Sequence, residues 1–236
     1  MLFRSRICNR RNSALDEFLR LQMRGELRHI QAEVGITFIH VTHTQMEAIA
    51  LAEMVVVMDQ GQIEQAASAR DVYDRPRTAY VAHFMGGQNV LAGTVTERRA
   101  GTVTIASGKK SITITAPASP PAVGAQFEVA VRRDRVRLSR APSEAAAAGV
   151  NGVSGRVAAV EYQGTWLKIS IEDACGEGFV ANVPDGEFFA DPLTVGDPVL
   201  ARWDPEQLHF LASRSGKASE TATAGPAGAP TAVAAG

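Results

Sequence analysis

Gly35-Ile36-Thr37-Phe38-Ile39-His40-Val41-Thr42-His43 is the stretch on which the fold turns. Residues 36–42 are short, β-branched and nearly continuous in apolar character. Such a run reads as a strand buried on both faces, the kind used in parallel sheets; a strand with one wet face would alternate. Upstream, Leu15, Leu19, Met23, Leu27, Ile30 and Val34 recur at steps of three or four and mark one face of an amphipathic helix, which Gly35 stops. Ser13 stands at its N-cap position, with Asp16 three residues on as a weak capping box. Downstream, His43-Thr44-Gln45 leads into a second helix through Met46, Ile49 and Ala50, and residues 54–58 read as another buried strand. Asp59-Gln60-Gly61-Gln62 turns that strand back onto a short partner over residues 63–66. Two short helices, about 69–73 and 78–84, flank Pro76, and this α/β region closes near Gly86-Gly87.

The texture changes after Asn89. Runs at Val95, 103–105, 112–115, 127–131 and 136–138 are short, β-rich and separated by Gly or Pro turns. The same pattern resumes over residues 153–211, after a linker at 141–149 rich in alanine. About ten short strands at this spacing predict small barrels or a sandwich. The region also echoes itself. Gly93-Thr94-Val95 and Gly101-Thr102-Val103 are matched by Gly155-Arg156-Val157 and Gly164-Thr165-Trp166. Val123-Gly124 and a strand ending Val131-Arg132 are matched by Val195-Gly196 and a strand ending Ala201-Arg202. Two copies of one β unit that close on each other is the economical reading. The expected fold is therefore a partial α/β domain followed by an all-β, OB-like barrel domain with an internal repeat.

Composition sets the outer limits. The 236 residues carry 24 basic and 25 acidic side chains, a net charge of −1, and are 45% hydrophobic. That excludes wholesale disorder and a coiled-coil rod. A balanced charge also argues against a dedicated nucleic-acid binder. No apolar run is long enough to span a bilayer. Cys8 and Cys175 are far apart in sequence and read as reduced thiols, without disulfide or metal spacing. Arg4, Arg6, Arg10 and Arg11 make the first twelve residues basic, but no apolar segment follows them as a secretory signal requires. In residues 215–236, 19 of 22 are Ala, Gly, Pro, Ser or Thr, which predicts a disordered tail. The boundaries that result are 1–12, a basic N-terminal stretch; 13–88, the α/β part; 89–214, the β part; and 215–236, the tail.

His43 is the sharpest candidate site residue, at the end of a buried strand and the start of a helix. Ligands of open α/β sheets collect at the carboxyl ends of strands, where an imidazole can bond a phosphoryl oxygen or hold a water. From position alone it can equally be a plain helix-start residue. His40, inside the strand, reads as a packed core histidine. The sequence holds no Gly-x-x-x-x-Gly-Lys-Ser/Thr phosphate loop, no Gly-x-Ser-x-Gly nucleophile and no metal-spaced His/Cys cluster. The Glu97-Arg98-Arg99 and Arg132-Arg133-Asp134-Arg135 runs read as solvated strand ends and turns.

Ser13-Ala14-Leu15-Asp16, Met23-Arg24-Gly25-Glu26-Leu27, the stretch from Gly35 to His43, Gln45-x-Glu47-Ala48, Met58-Asp59-Gln60-Gly61-Gln62-Ile63-Glu64-Gln65, Tyr73-Asp74-Arg75-Pro76 and Tyr80-Val81-Ala82-His83-Phe84-Met85-Gly86 together resemble the late part of an ABC transporter ATPase. The remainder, through Trp203-Asp204-Pro205-Glu206 and His209-Phe210-Leu211, is similar to the transport-associated OB (TOBE) domain that follows this ATPase in polyamine, iron and sugar importers. The resemblance implies that Ser13, Ala14, Leu15 and Asp16 form the D-loop at an ATPase dimer interface, and that His43 is the switch histidine facing the γ-phosphate. Thr44 stands where the family usually has aspartate. The Asp-Glu strand, signature motif and phosphate loop have no counterpart here, so the chain looks like the C-terminal part of a longer subunit. The implied parent uses ATP and Mg²⁺, pairs with a second ATPase subunit and membrane permease subunits, is served indirectly by a substrate-binding protein, and sits on the cytoplasmic face of the membrane. The Tyr162-x-Gly164-Thr165 and Trp203-x-Pro205-Glu206 patterns point to polyamine import. For this chain alone the resemblance implies no nucleotide cofactor. A non-catalytic regulatory or small-ligand-binding module is the alternative.

Overall fold

The computed structural model describes residues 6–8, 17–108, 110–141, 149–172, 174, 178–212 and 232–235. They fall into two compact units, Met1–Met85 with Lys217–Gly236, and Gly86–Gly216.

The first unit is built on a sheet of β1 (Arg6–Cys8), β2 (Phe38–Val41), β3 (Met54–Asp59), β4 (Gln62–Ser68) and β15 (Ala232–Ala235), in the order β1-β2-β15-β3-β4. β1, β2, β15 and β3 run parallel, and β4 returns antiparallel to β3. The β3–β4 turn places Gln60 at φ 48° and Gly61 at φ 77°. That left-handed pair matches the twist of a two-residue hairpin. Helix α1 (Glu17–Val34) precedes β2, and α2 (Gln45–Leu51) crosses from β2 to β3. α3 (Ala69–Asp74) starts at Ser68, whose hydroxyl accepts from the Asp71 backbone N–H at 3.1 Å, and α4 (Ala79–Gly86) follows. Ala48, Val55, Val57, Val72, Val81 and Met85 make a small core, with Tyr80 and Phe84 packed against it.

Two expectations fail in this unit. Residues 36–42 were expected to be buried on both faces, yet every side chain of β2 is half-buried or exposed, with Val41 56% exposed. Among the described residues, only the short β1 lies outside β2 in the sheet. Residues 215–236 were expected to be wholly disordered, yet Ala232–Ala235 is a strand. A strand held by main-chain bonds on both sides needs no large side chains to form. Similarly, the basic stretch 1–12 contributes β1.

The second unit is mostly β sheet, with ten strands among the described residues. One sheet has the order β14-β8-β5-β6-β7, from β5 (Asn89–Arg99), β6 (Thr102–Ser107), β7 (Lys110–Thr115), β8 (Gln126–Val131) and β14 (Leu208–Phe210). The other has the order β12-β11-β10-β13-β9, from β9 (Arg137–Arg140), β10 (Gly152–Tyr162), β11 (Trp166–Glu172), β12 (Phe179–Pro184) and β13 (Pro198–Arg202). β9 follows β8 in sequence but pairs with β13, and β14 follows β13 but pairs with β8. Each half thus completes the sheet of the other. A single apolar core links them, from Leu91, Ile105 and Ile114 to Val157, Ile169 and Trp203.

Both long strands bend in the same way. β5 shifts register between Val95 and Glu97, and β10 between Val157 and Ala159. Such bulges let one strand pair first with one neighbour and then with another. At each bend a turn glycine donates back, Gly124 to the Val95 carbonyl and Gly196 to the Val157 carbonyl, both at 2.8 Å. Those glycines sit at φ 89° and 92°, where a side chain would be strained. A short helix, α5 (Asp185–Ala190), follows β12 and was not foreseen.

Candidate functional site

His43 lies where β2 ends and α2 begins, and it is exposed. The turn that carries it is fixed by its neighbours. Thr42 is 7% exposed and Glu47 8%. The Thr42 hydroxyl donates to Glu47 Oε2 at 2.7 Å and accepts from the Thr44 backbone N–H at 3.0 Å. The Glu47 and Ala48 backbone N–H groups both donate to the Thr44 carbonyl, at 3.1 and 3.2 Å. The Thr42 side chain and the Thr44 backbone on either side of the exposed His43 are therefore engaged. A buried hydrogen bond to a carboxylate is stronger than a neutral one, which favours this arrangement.

Glu47 was not singled out in the sequence, although a signal existed. Thr44-x-x-Glu47 has capping-box spacing. The carboxylate does not reach back to the Thr44 N–H as a capping box would; it bonds Thr42, and Thr42 takes the Thr44 N–H in its place. Thr44 itself caps α2 without a side-chain bond. His40 Nε2 is 3.6 Å from Glu47 Oε2, too far for a hydrogen bond but close enough for attraction if the ring is protonated. His40 is half-buried, with its side chain 18% exposed, so it fits a packed residue rather than a ligand-facing one.

Ser13, Ala14, Leu15 and Asp16 lie outside the described residues. The 97–99 run is a solvated strand end, where Arg99 Nε donates to Glu97 Oε1 at 2.8 Å; in the 132–135 run Arg132 Nη2 donates to Asp134 Oδ2 at 2.7 Å, but Arg132 and Arg133 are half-buried, which departs from the expected solvated turn. Among the described residues no group of three or more His, Cys, Asp or Glu is arranged to hold a metal ion. No described helix is long and apolar enough to cross a membrane. α2 has only seven residues, so its end charge is small. His43 supplies one exposed imidazole at this corner of the first unit.

The first unit also exposes apolar side chains on several elements. Ile30 is 43% exposed, Val34 56%, Met46 64% and Ile63 64%. In the second unit two buried asparagines tie the sheets together. Asn89 Nδ2 donates to the Val180 carbonyl at 2.7 Å, and the Val180 N–H donates to Asn89 Oδ1 at 2.8 Å. Asn151 Oδ1 accepts from the Thr115 N–H and its Nδ2 donates to the Thr115 hydroxyl, both at 2.8 Å.

Comparison with known proteins gives three kinds of likeness. The TOBE domain family matches residues 129–211. A spermidine/putrescine import ATP-binding protein PotA of Rubrobacter xylanophilus is 35% identical over 205 residues, covering 86% of this chain and 52% of that protein. The protein of the same name in Frankia alni is 33% identical, covering 84% of this chain and 44% of its own length. An uncharacterized ABC transporter ATP-binding protein, YdcT of Escherichia coli, is 34% identical, covering 83% and 50%. The chain spans about half the length of the curated relatives it matches. Among solved structures, a cytoplasmic molybdate-binding protein, ModG, aligns with TM-score 0.41 and 19% identity over 53% of this chain and 96% of its own.

Proposed function

We propose, for a chain that belongs with the TOBE-containing ATP-binding subunits of ABC transporters, that its first unit is the later part of a nucleotide-binding domain in a polyamine importer. In this reading residues 13–88 contribute to an ATPase that also needs a phosphate loop and acidic strand from additional polypeptide. His43 meets the γ-phosphate there, and Ser13, Ala14, Leu15 and Asp16 form the D-loop at a dimer interface. Spermidine or putrescine is the cargo, permease subunits are the membrane partners, a substrate-binding protein delivers the cargo, and the assembly lies on the cytoplasmic side. The observation that carries the reading is an exposed His43 at the end of β2, a strand whose side chains are half-buried or exposed. The Thr42–Glu47 bond lies immediately beside the histidine, while Ile30, Val34, Val41 and Met46 are exposed. Exposed apolar side chains on several elements mark a surface that packs against further polypeptide.

ATP and Mg²⁺ would supply the phosphoryl chemistry once the site is complete. His43 then contributes one oriented hydrogen-bonding group where charge develops, a role typically worth about 10²–10³ in rate. The test joins the absent half of a relative ahead of Ser13 and measures ATP turnover. His43→Ala should abolish turnover while ATP binding persists. Equal turnover in parent and variant would reduce His43 to a helix-start residue, and any saturable ATP binding by the unjoined chain would contradict the composite-site reading.

The second unit reads as a duplicated β module. Supporting this are the common strand order of its two sheets, the paired bulges at Val95 and Val157, the turn glycines Gly124 and Gly196, and the reciprocal clamps of Asn89 and Asn151.

A further inference from the structure

Two dipeptides in the second unit, Asn151-Gly152 and Asp185-Gly186, place a side-chain carbonyl carbon directly before a glycine. Glycine has no Cβ to keep its backbone nitrogen away from that carbon. Attack of the nitrogen on the carbon closes a succinimide ring, the route by which asparagine deamidates and aspartate isomerises.

The fold treats the two pairs differently. Asn151 is 5% exposed. Its Oδ1 accepts from the Thr115 N–H and its Nδ2 donates to the Thr115 hydroxyl. Gly152 begins β10 opposite Arg202 of β13, so its main chain is tied into the sheet. Turning the Asn151 amide towards Gly152 breaks two hydrogen bonds that water cannot readily replace. Asp185 and Gly186, in contrast, are both exposed. The Gly186 N–H donates to Asp185 Oδ1 at 2.8 Å, so nitrogen and carboxyl are already in contact. Gly186 is also the second residue of α5, ahead of the first N–H that a helical ladder engages.

We propose that Asp185-Gly186 is a site of spontaneous aspartate isomerisation in the folded chain, and that the Thr115 clamp spares Asn151-Gly152 the corresponding deamidation. At residue 185 the Gly186 nitrogen bonds to Cγ. It gives up its proton and the carboxyl gives up a hydroxyl, which leave together as water. Hydrolysis returns that water to the ring; cleavage at the main-chain carbonyl leaves the chain running through Cγ, as isoaspartate. No oxidant or reductant takes part. The main chain is then one methylene longer just ahead of Phe188, which is 7% exposed, and of Phe189, whose ring lies 6.3 Å from that of Tyr162. α5 is the element this change loosens.

The full chain is aged at neutral pH, folded and in guanidinium chloride, and peptides spanning residues 151 and 185 are followed by mass spectrometry with fragmentation that separates isoaspartate from aspartate. In the unfolded chain both sites should react, Asn151 faster, because ammonia leaves more readily than water. In the folded chain the order should reverse: isoaspartate accumulates at 185 while residue 151 stays an amide. A Cβ at Gly186 meets nothing within 4 Å, so Gly186→Ala should fold normally and bring isoaspartate at 185 down to background. Thr115→Val removes the hydroxyl acceptor and should make deamidation at 151 detectable in the folded chain. Absence of isoaspartate at 185 in the folded parent overturns the proposal, as does an equal level in Gly186→Ala. Deamidation at 151 as fast in the folded parent as in the unfolded one, or none in folded Thr115→Val, overturns the role given to the clamp. Should Thr115→Val fail to fold, the folded and unfolded parent and Gly186→Ala decide by the same readings.

Discussion

Replacing Asn89 by alanine should be among the most damaging single changes in the second unit. Asn89 is 4% exposed and Val180 5% exposed, so neither end of this clamp has ready access to water. The side chain supplies one acceptor and one donor, at 2.8 and 2.7 Å, to the N–H and carbonyl of a single residue 91 positions away in sequence. Alanine leaves both Val180 groups buried and unpaired. Each orphan costs about 1–3 kcal/mol, so the pair costs about 2–6 kcal/mol. Set against a typical domain stability of about 5–15 kcal/mol, this is a large fraction. With a urea slope of about 2 kcal/mol/M, the midpoint should fall by about 1–3 M. Both tryptophans, Trp166 and Trp203, lie in this unit, and Trp203 packs 5.9 Å from Phe179, next to Val180. Intrinsic fluorescence through a urea titration therefore reports the right transition. Asn89→Asp is the informative partner: it keeps an acceptor for the Val180 N–H but sets a second oxygen against the Val180 carbonyl, and should lose at least as much as alanine at neutral pH. A midpoint shift below about 0.3 M for Asn89→Ala would show that water or backbone movement satisfies Val180, and the clamp argument would be wrong.

Other consequences are equally open to measurement. A Cβ at Gly93 would meet the Ala106 carbonyl oxygen and one at Gly155 the Glu172 carbonyl oxygen; Gly93→Ala and Gly155→Ala should each cost about 1–3 kcal/mol in the same urea assay, because backbone must move. The backbone N–H of Thr194 first, and the Arg140 guanidinium after it, hold the Asp197 carboxyl below the usual carboxylate range. That contribution is present above the unfolded-state value of about 4 and is lost as pH falls through the lower folded value. An NMR titration should place Asp197 below an ordinary aspartate, and Arg140→Ala should remove only part of the displacement, since the Thr194 bond remains. Thr42→Val should loosen the turn at His43 by leaving Glu47 Oε2 without its donor, seen as faster hydrogen exchange at Thr44 and Glu47; unchanged exchange would mean the turn is held by the helix alone.

Much of this molecule is legible in local sequence. The 3.6-residue periodicity before Gly35, the hairpin glycine at Gly61 and the β-rich runs after Asn89 each depend on neighbours a few positions away, and each forms the element its pattern predicts. The echo of Gly93, Val95 and Gly124 in Gly155, Val157 and Gly196 is visible as well, because tight turns and close backbone approaches restrict residue type at the position itself. His43 could be singled out as a strand-end residue, but its support could not: the carboxylate of Glu47 bonds Thr42, a choice made by burial rather than by the capping-box spacing. What the sequence could not supply is which strand pairs with which. β9 and β14 are four- and three-residue segments with no periodicity to distinguish them, and only the shared core sends each to the opposite sheet. The same holds for Ala232–Ala235, whose composition argues against structure. An empty strand position flanked by two rows of unpaired backbone groups outweighs weak propensity, and that position exists only once β2 and β3 are in place.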